Sequence, residues 1–229
     1  MAVHTARKGA RQVGRLVQRA TADRYTPEVR LTPQEYKRLL TCTRGSGRPG
    51  CHRYYALWVL LGNLGLRITE ALAVRLEDLQ IGGPGGGRPV KLPVGRDVDC
   101  RIRLHTLKQR RRRKATTTVE MRVVHPQVVR VLLAWARRAR LQPTDRLFSM
   151  ARQTAWEAFI RYRDLAGLPK GVSLHSLRHF RGDQDYQATR DVRWVAYRLR
   201  HKGLAHVSRY TRVGAAQEEE LVQKIGAIT

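Results

Sequence analysis

Acidic residues are scarce in this 229-residue chain: 18 Asp and Glu stand against 45 Lys and Arg, a formal net charge of +27. That imbalance points to a polyanionic partner, because Lys and Arg neutralise phosphates and release their counterions. Cysteines are few and odd in number. Cys42, Cys51 and Cys100 lack the paired spacing of a zinc site and the even count of a disulfide framework, and they read as free thiols. No apolar run approaches the roughly 18 residues that a membrane-spanning helix needs, and the arginine-broken start lacks a signal peptide's apolar centre. The expectation is a cytoplasmic, nucleoid-associated protein that neither inserts into a membrane nor leaves the cell. With 42% hydrophobic residues the chain still has enough apolar material for a core, which excludes disorder throughout.

Along the chain, residues 1–30 form a basic arm. Arg7, Lys8, Arg11, Arg15 and Arg19 recur every three to four residues, which fits either a solvated arm or a helix that docks on phosphates. The folded part is expected from Leu31. Thr32, Pro33 and Glu35 supply an N-cap, a first-turn proline and a capping-box carboxylate, ahead of Tyr36, Leu39 and Leu40. After the turn RGSGRPG, the run from Tyr54 to Leu61 reads as a buried helix ended by Gly62 and Gly65. A second helix is expected over Ile68, Leu72, Leu76 and Leu79, with Arg75, Glu77 and Asp78 turned outward and Arg67 at its entrance.

GGPGGGRP, from Gly82 to Pro89, lacks the order of a phosphate-binding loop and reads as a connector. Residues 90–94, 101–107 and 116–124 alternate like strands of a small antiparallel sheet. Ile102 and Leu104 share one face, and Glu120 and Arg122 lie opposite Val119, Met121 and Val123. The tightest connection of that sheet, Lys108 to Lys114, carries six basic residues in seven: Lys108, Arg110, Arg111, Arg112, Arg113 and Lys114. Helical periodicity returns after Pro126, with one stripe of Val128, Val129, Leu132, Leu133 and Ala136 and another of Trp156, Phe159 and Ile160. It continues mainly helical from Ser173 onward. The fold class is mainly α with a small antiparallel β-sheet (α+β).

Some polar residues are spaced beyond the reach of any one helix, and these resemble a known family. Leu64-Gly65-Leu66-Arg67-Ile68-Thr69-Glu70 resembles the first arginine box of tyrosine recombinases, the integrase family. His175-Ser176-Leu177-Arg178-His179 matches the H-x-L-R-H signature of the second box, led in by Ala166-Gly167-Leu168. From His175 to His201 is 26 positions and from His201 to Tyr210 is 9, both spacings common in the family. Arg200 departs from the pattern, standing where a glycine usually precedes the last histidine. The similarity runs over about residues 31–213.

The resemblance implies the catalytic-domain fold of DNA breaking-rejoining enzymes over 31–213. It also implies a C-terminal helix over 214–229, possibly exchanged between subunits and bearing Leu221, Val222 and Ile225 after Glu218, Glu219 and Glu220. It further implies a site-specific recombinase that cuts and rejoins double-stranded DNA through a 3′-phosphotyrosyl link, with no metal, ATP or other cofactor. Tyr210 would be the nucleophile, Arg67 and Arg178 the clamps on the non-bridging oxygens, and Lys108 the donor to the departing 5′-oxygen, with Lys114 as the alternative on the same turn. His175 would position the phosphate or accept the tyrosine proton, His201 would donate a further hydrogen bond, and Glu70 would support Arg67. Such enzymes act as tetramers on synapsed DNA, with monomers or dimers expected free of it.

Family members usually place a helical core-binding domain ahead of the catalytic one. Here the basic arm and the basic hairpin are expected to take over phosphate contacts, or a partner to complete the clamp. Type IB topoisomerases share much of the plan and remain an alternative, as does a non-catalytic DNA-binding accessory protein of the same fold. An RNA-binding protein is disfavoured, because the aromatic residues fall on core stripes rather than in an exposed stacking array.

Overall fold

The computed structural model describes residues 29–82, 99–108 and 116–201, with side chains at all of these except 106–108 and 116–118. Helix α1, Pro33–Gly45, opens with the expected capping box. The Glu35 backbone N–H donates to Thr32 Oγ1 at 3.2 Å, and the Thr32 N–H donates to Glu35 Oε2 at 2.8 Å. That second bond holds the Glu35 carboxyl below its ordinary pKa. Leu31 and Leu39 are buried just before and within the helix.

Helix α2, Cys51–Leu64, is the axis of the core and is buried almost all round. Its apolar residues leave no polar stripe, so it takes neighbours on every side: α1, and then α4, Pro126–Arg138, α5, Arg152–Leu165, and α6, Leu174–Thr189. Trp58 meets the edge of Phe159 with ring centroids 5.3 Å apart, an arrangement that suits the two ring quadrupoles. Gly62 does not end this helix. It lies within it, where a Cβ would stand 2.6 Å from Tyr36 Cε2, so the absent side chain is what lets Tyr36 lie across α2 and donate to the Trp58 carbonyl at 3.1 Å. The helix ends at Gly65, whose φ of +63° is the left-handed conformation glycine adopts without steric cost.

The expected helix over 68–79 is only one turn long. Helix α3, Ile68–Ala71, stops because the next backbone groups pair elsewhere. The Val74 carbonyl accepts from Leu147 N–H at 2.9 Å, and the N–H groups of Leu76 and Glu77 donate to the carbonyls of Asp145 and Pro143 at 3.0 and 2.8 Å. Leu76–Asp78 forms a 3₁₀ turn, and Leu79 begins a strand. Arg75 and Glu77 face outward as expected, but Asp78 is buried. Its carboxylate accepts from Arg75 N–H at 2.9 Å and lies 3.1 Å from His105 Nε2.

Three antiparallel strands follow in the order β1, Leu79–Ile81, β2, Cys100–Lys108, and β3, Thr116–Val123. Ile102 pairs with Leu79 on one side and Arg122 on the other, and Leu104 pairs with Glu120. The polar face of β3 therefore turns inward beside Ile102 and Leu104, while Val119, Met121 and Val123 are exposed. Residues 90–94 and the glycine run beyond Gly82 lie outside the described residues.

The apolar stripe expected on α4 is the one buried there. On α5 the buried face is Ala155, Ala158, Phe159 and Tyr162, and Trp156 is exposed. The two alanines leave no bulk between α5 and the core, which brings Tyr162 to 5.6 Å from the Tyr54 ring. Helix α6 packs on α7, Val192–Leu199, which carries the chain to His201. Asp185 of α6 is buried beneath two arginines, with Arg181 Nε at 3.1 Å and Arg198 Nε at 3.9 Å. No helix among the described residues is long and apolar enough to cross a membrane.

Candidate active site

The first arginine box lies where α2 turns into α3. Gly65 lets the chain reverse, and Arg67 becomes the residue that caps α3. Glu70, one turn on, holds Arg67 twice: Oε2 accepts from the Arg67 backbone N–H at 2.8 Å, and Oε1 accepts from Nη1 at 3.1 Å. Half of the Arg67 side chain remains exposed. Its stem is fixed and its guanidinium edge faces solvent, an arrangement able to meet an anionic oxygen.

The second box forms the first turns of α6. The Ser173 N–H donates to Ser176 Oγ at 3.0 Å at the helix start. His175 is exposed and meets buried His179 one turn on, with ring centroids 4.4 Å apart and planes at 88°. Arg178, one turn on from His175, is only 2% exposed. Its Nη1 donates to the Gly65 carbonyl at 2.5 Å and its Nη2 to the Leu199 carbonyl. The charged group is drawn into the core because both carbonyls, at the last turns of two helices, present negative dipole ends.

The segment leading to His201 explains the departure noted at Arg200. Arg200 adopts φ +54° at the end of α7, the left-handed position where a glycine ordinarily sits, and the His201 N–H closes the turn on the Ala196 carbonyl at 2.9 Å. The backbone turn forms with arginine in it. The Arg200 side chain is almost fully enclosed and makes an ion pair with Glu70. Burial lowers its pKa, which the Glu70 charge opposes.

Glu70 therefore joins Arg67 to Arg200, while Arg178 joins Gly65 to Leu199. Two bridges bring together Arg67, Glu70, Arg178 and His201, from three segments distant in sequence. His175 shares a helix with Arg178. Lys108 is the last residue of β2, opposite Thr116, at the mouth of the connection 109–115. Tyr210, the hairpin residues Arg110, Arg111, Arg112, Arg113 and Lys114, the alternative lysine among them, and the arm residues Arg7, Lys8, Arg11 and Arg15 lie outside the described residues. The sequence gives Arg200 and Arg122 no functional role, Arg200 standing out only as a departure from the family pattern and Arg122 only as one face of a strand. For Arg200 the signal was present, in its place before the last histidine. For Arg122 it was a charge on a strand face whose inward direction only the packing decides.

A mostly helical domain with a three-stranded antiparallel sheet and this juxtaposition has the fold of a tyrosine recombinase catalytic domain. The chain belongs to the phage integrase family, whose pattern matches residues 29–217. It is 28% identical over 214 residues to the tyrosine recombinase XerD of Mycobacterium tuberculosis, covering 88% of this chain and 61% of that protein. Over 211 residues it is 28% identical to XerD of Mycobacterium leprae, with the same coverage. The chain thus spans about three fifths of the length of these relatives.

Among solved structures it resembles XerH recombinase bound to its difH substrate in a pre-cleavage complex, with a TM-score of 0.62 at 20% identity over 84% of this chain and 53% of that one. XerA recombinase gives a TM-score of 0.62 at 21% identity, over 90% and 66% of the two chains. The catalytic domain of bacteriophage HP1 integrase gives 0.54 at 18% identity, over 85% and 93%.

Proposed function

We propose that this chain is a site-specific DNA recombinase that cleaves and rejoins duplex DNA through a covalent link to Tyr210, using neither metal nor ATP. The observation that carries the reading is the pair of bridges, Arg67–Glu70–Arg200 and Gly65–Arg178–Leu199, which hold two arginine boxes and the His201 turn at one place.

In the proposed step, Tyr210 Oη attacks the scissile phosphorus while the bond to the 5′-oxygen breaks. A phenol with a pKa of about 10 is mostly protonated at neutral pH, so attack requires an acceptor and a positive field; His175 either accepts that proton or positions the phosphate while another base takes it. The exposed edge of Arg67 meets the non-bridging oxygens where charge develops. Arg178, enclosed behind Gly65, adds positive potential and holds both segments, and reaches the phosphate once DNA rearranges the Leu199 turn. Lys108, or Lys114 on the same turn, delivers a proton to the leaving 5′-oxygen, and His201 donates a hydrogen bond to the phosphate. The products are a 3′-phosphotyrosyl ester and a free 5′-hydroxyl. Because the ester conserves the phosphodiester's energy, a 5′-hydroxyl from another duplex can reverse the step and join the strands.

On this reading the partner is double-stranded DNA, the active assembly is a homo-tetramer on synapsed duplexes, and the protein works in the cytoplasm at the nucleoid. Residues 1–30 act as a basic arm on phosphates, and the helix of 214–229 docks on a neighbouring subunit. The test is recovery of denaturant-resistant protein–DNA adducts from a random library of nicked duplexes with chelator present. Wild type should yield adducts and Tyr210→Phe none, and sequencing the trapped DNA gives the site. If wild type binds duplex yet yields no adduct, the chain is not an autonomous recombinase, and it either requires a partner to complete the clamp or is a DNA-binding accessory protein.

A further inference from the structure

One buried charge beside this site has no part in the step above. Arg122, on the inward face of β3, is 7% exposed. Its Nη2 donates to Glu120 at 2.9 Å and to the Tyr197 carbonyl at 3.1 Å. Its Nε and Nη1 are buried with no hydrogen-bond partner among the described residues. The Tyr197 ring lies across the guanidinium, 3.9 Å from its carbon, and is itself largely exposed. Unanswered donors on a buried charge have given up water with nothing in return, and native proteins rarely keep them without a use. Glu120, partly open to solvent, offsets little of that cost.

Arg122 lines a cleft of about 580 Å³ that also takes in Arg200, His201 and Tyr197. Arg67 reaches the same neighbourhood through Glu70. Three guanidinium groups are thus gathered against two carboxylates, Glu70 and Glu120. Burial lowers the pKa of Arg200 most, Glu70 and then Glu120 oppose it, and Arg122 and Arg67 add smaller influences on the side of burial. Such a cleft is short of negative charge, and an anion with several acceptor oxygens answers both the missing charge and the missing acceptors.

We infer that the cleft between β3 and the end of α7 is a second phosphate subsite, in which Arg122, assisted by Arg200, holds a DNA backbone phosphate next to the one that is cut. This rests on the recombinase reading and extends it. Arg67 and Arg178 serve the reacting phosphate, while Arg122 fixes the strand's register beside it. A contact that positions the backbone carries no base preference, so its loss should weaken binding to all sequences alike.

The test is the salt dependence of binding to a fluorescent 30-base-pair duplex of arbitrary sequence, for wild type, Arg122→Gln, Arg122→Met and Arg122→Lys, with folding checked by circular dichroism. Each phosphate contact contributes about 0.9 to the slope of log Kd against log salt. Arg122→Gln and Arg122→Met should therefore lower the slope by about 1, and Arg122→Lys should keep it. Methionine matches the length of the arginine stem and brings no unanswered donors into the cleft, and Glu120 is open enough to solvent to stand without its partner, so a folded variant is at hand if glutamine fails. Equal slopes for wild type and both neutral variants would overturn the inference, leaving Arg122 a packing residue. So would inorganic phosphate at constant ionic strength stabilising wild type but not Arg122→Met while the slopes agree, since the cleft would then hold an anion without facing DNA. Failure of the recombinase reading shows separately, as absence of the Tyr210 adduct.

Discussion

The two arginine boxes look alike in sequence and differ in the fold. Arg67 stands at a helix entrance with half its side chain in solvent, whereas Arg178 is 2% exposed and spent on two main-chain carbonyls. One box offers its arginine's charge outward, with Glu70 as the partner of that side chain among the described residues. The other uses its charge to fasten the end of α2 to the end of α7. Equivalent chemistry in a motif does not mean equivalent work in the free protein. A buried guanidinium that satisfies carbonyls is a brace first, and under the proposed function it reaches a phosphate only if the Leu199 turn lets go.

That contrast sets an order of effects. Arg178→Ala should cost the most stability, about 4 kcal/mol in denaturant unfolding, because it opens a cavity and strands the carbonyls of Gly65 and Leu199. A loss under about 1 kcal/mol would show that Arg178 is no brace. Asp185→Ala comes next, at about 3 kcal/mol, since it leaves Arg181 and Arg198 facing each other on the same helix pair without their buried carboxylate. A thermal midpoint unchanged from wild type would count against that pairing.

Gly65→Ala should cost about 2 kcal/mol. Its φ of +63° strains any side chain, and the new Cβ would stand 2.5 Å from Leu199 Cδ2, pushing apart the two ends Arg178 joins. If Gly65→Ala unfolded at the wild-type denaturant concentration, the close approach would have no energetic weight. Arg67→Ala should disturb stability least, by under about 0.5 kcal/mol, because its ion pair is half exposed. It should nonetheless reduce Tyr210 adduct formation by roughly 10²-fold or more, as expected on losing a group that meets transition-state charge. An Arg67→Ala protein that forms adducts at the wild-type rate would break the comparison from the other side.

Much of the frame was legible from local signals. The capping box at Thr32, the stripe on α4 and the β2–β3 alternation are each decided within a few residues, where propensity and periodicity act. The misread stretches are those where tertiary contacts, through backbone or side chains, intervene. The helix expected over 68–79 breaks because residues 143–147 supply hydrogen bonds that compete with the next helical turn. Gly62, read as a stop, is a notch for Tyr36. Trp156, read as core, is displaced by two alanines that allow closer helix contact. In the site, the arginines and histidines could be picked out by spacing, but the exchange of partners around Glu70 could not. The ion pair between Arg200 and Glu70 joins residues 130 positions apart.

The sequence by itself determined which residues the proposed chemistry draws on, namely the arginines, histidines and candidate lysines that resemble the family's pattern, and a charge of +27 that calls for a polyanion. Only the tertiary structure decided how each charge is employed. Whether a guanidinium faces solvent, braces two carbonyls or lies buried with donors unanswered depends on which chain ends fold against it. The energy of a charge is set by its surroundings, through desolvation and available acceptors, and those surroundings come from residues far away in the chain.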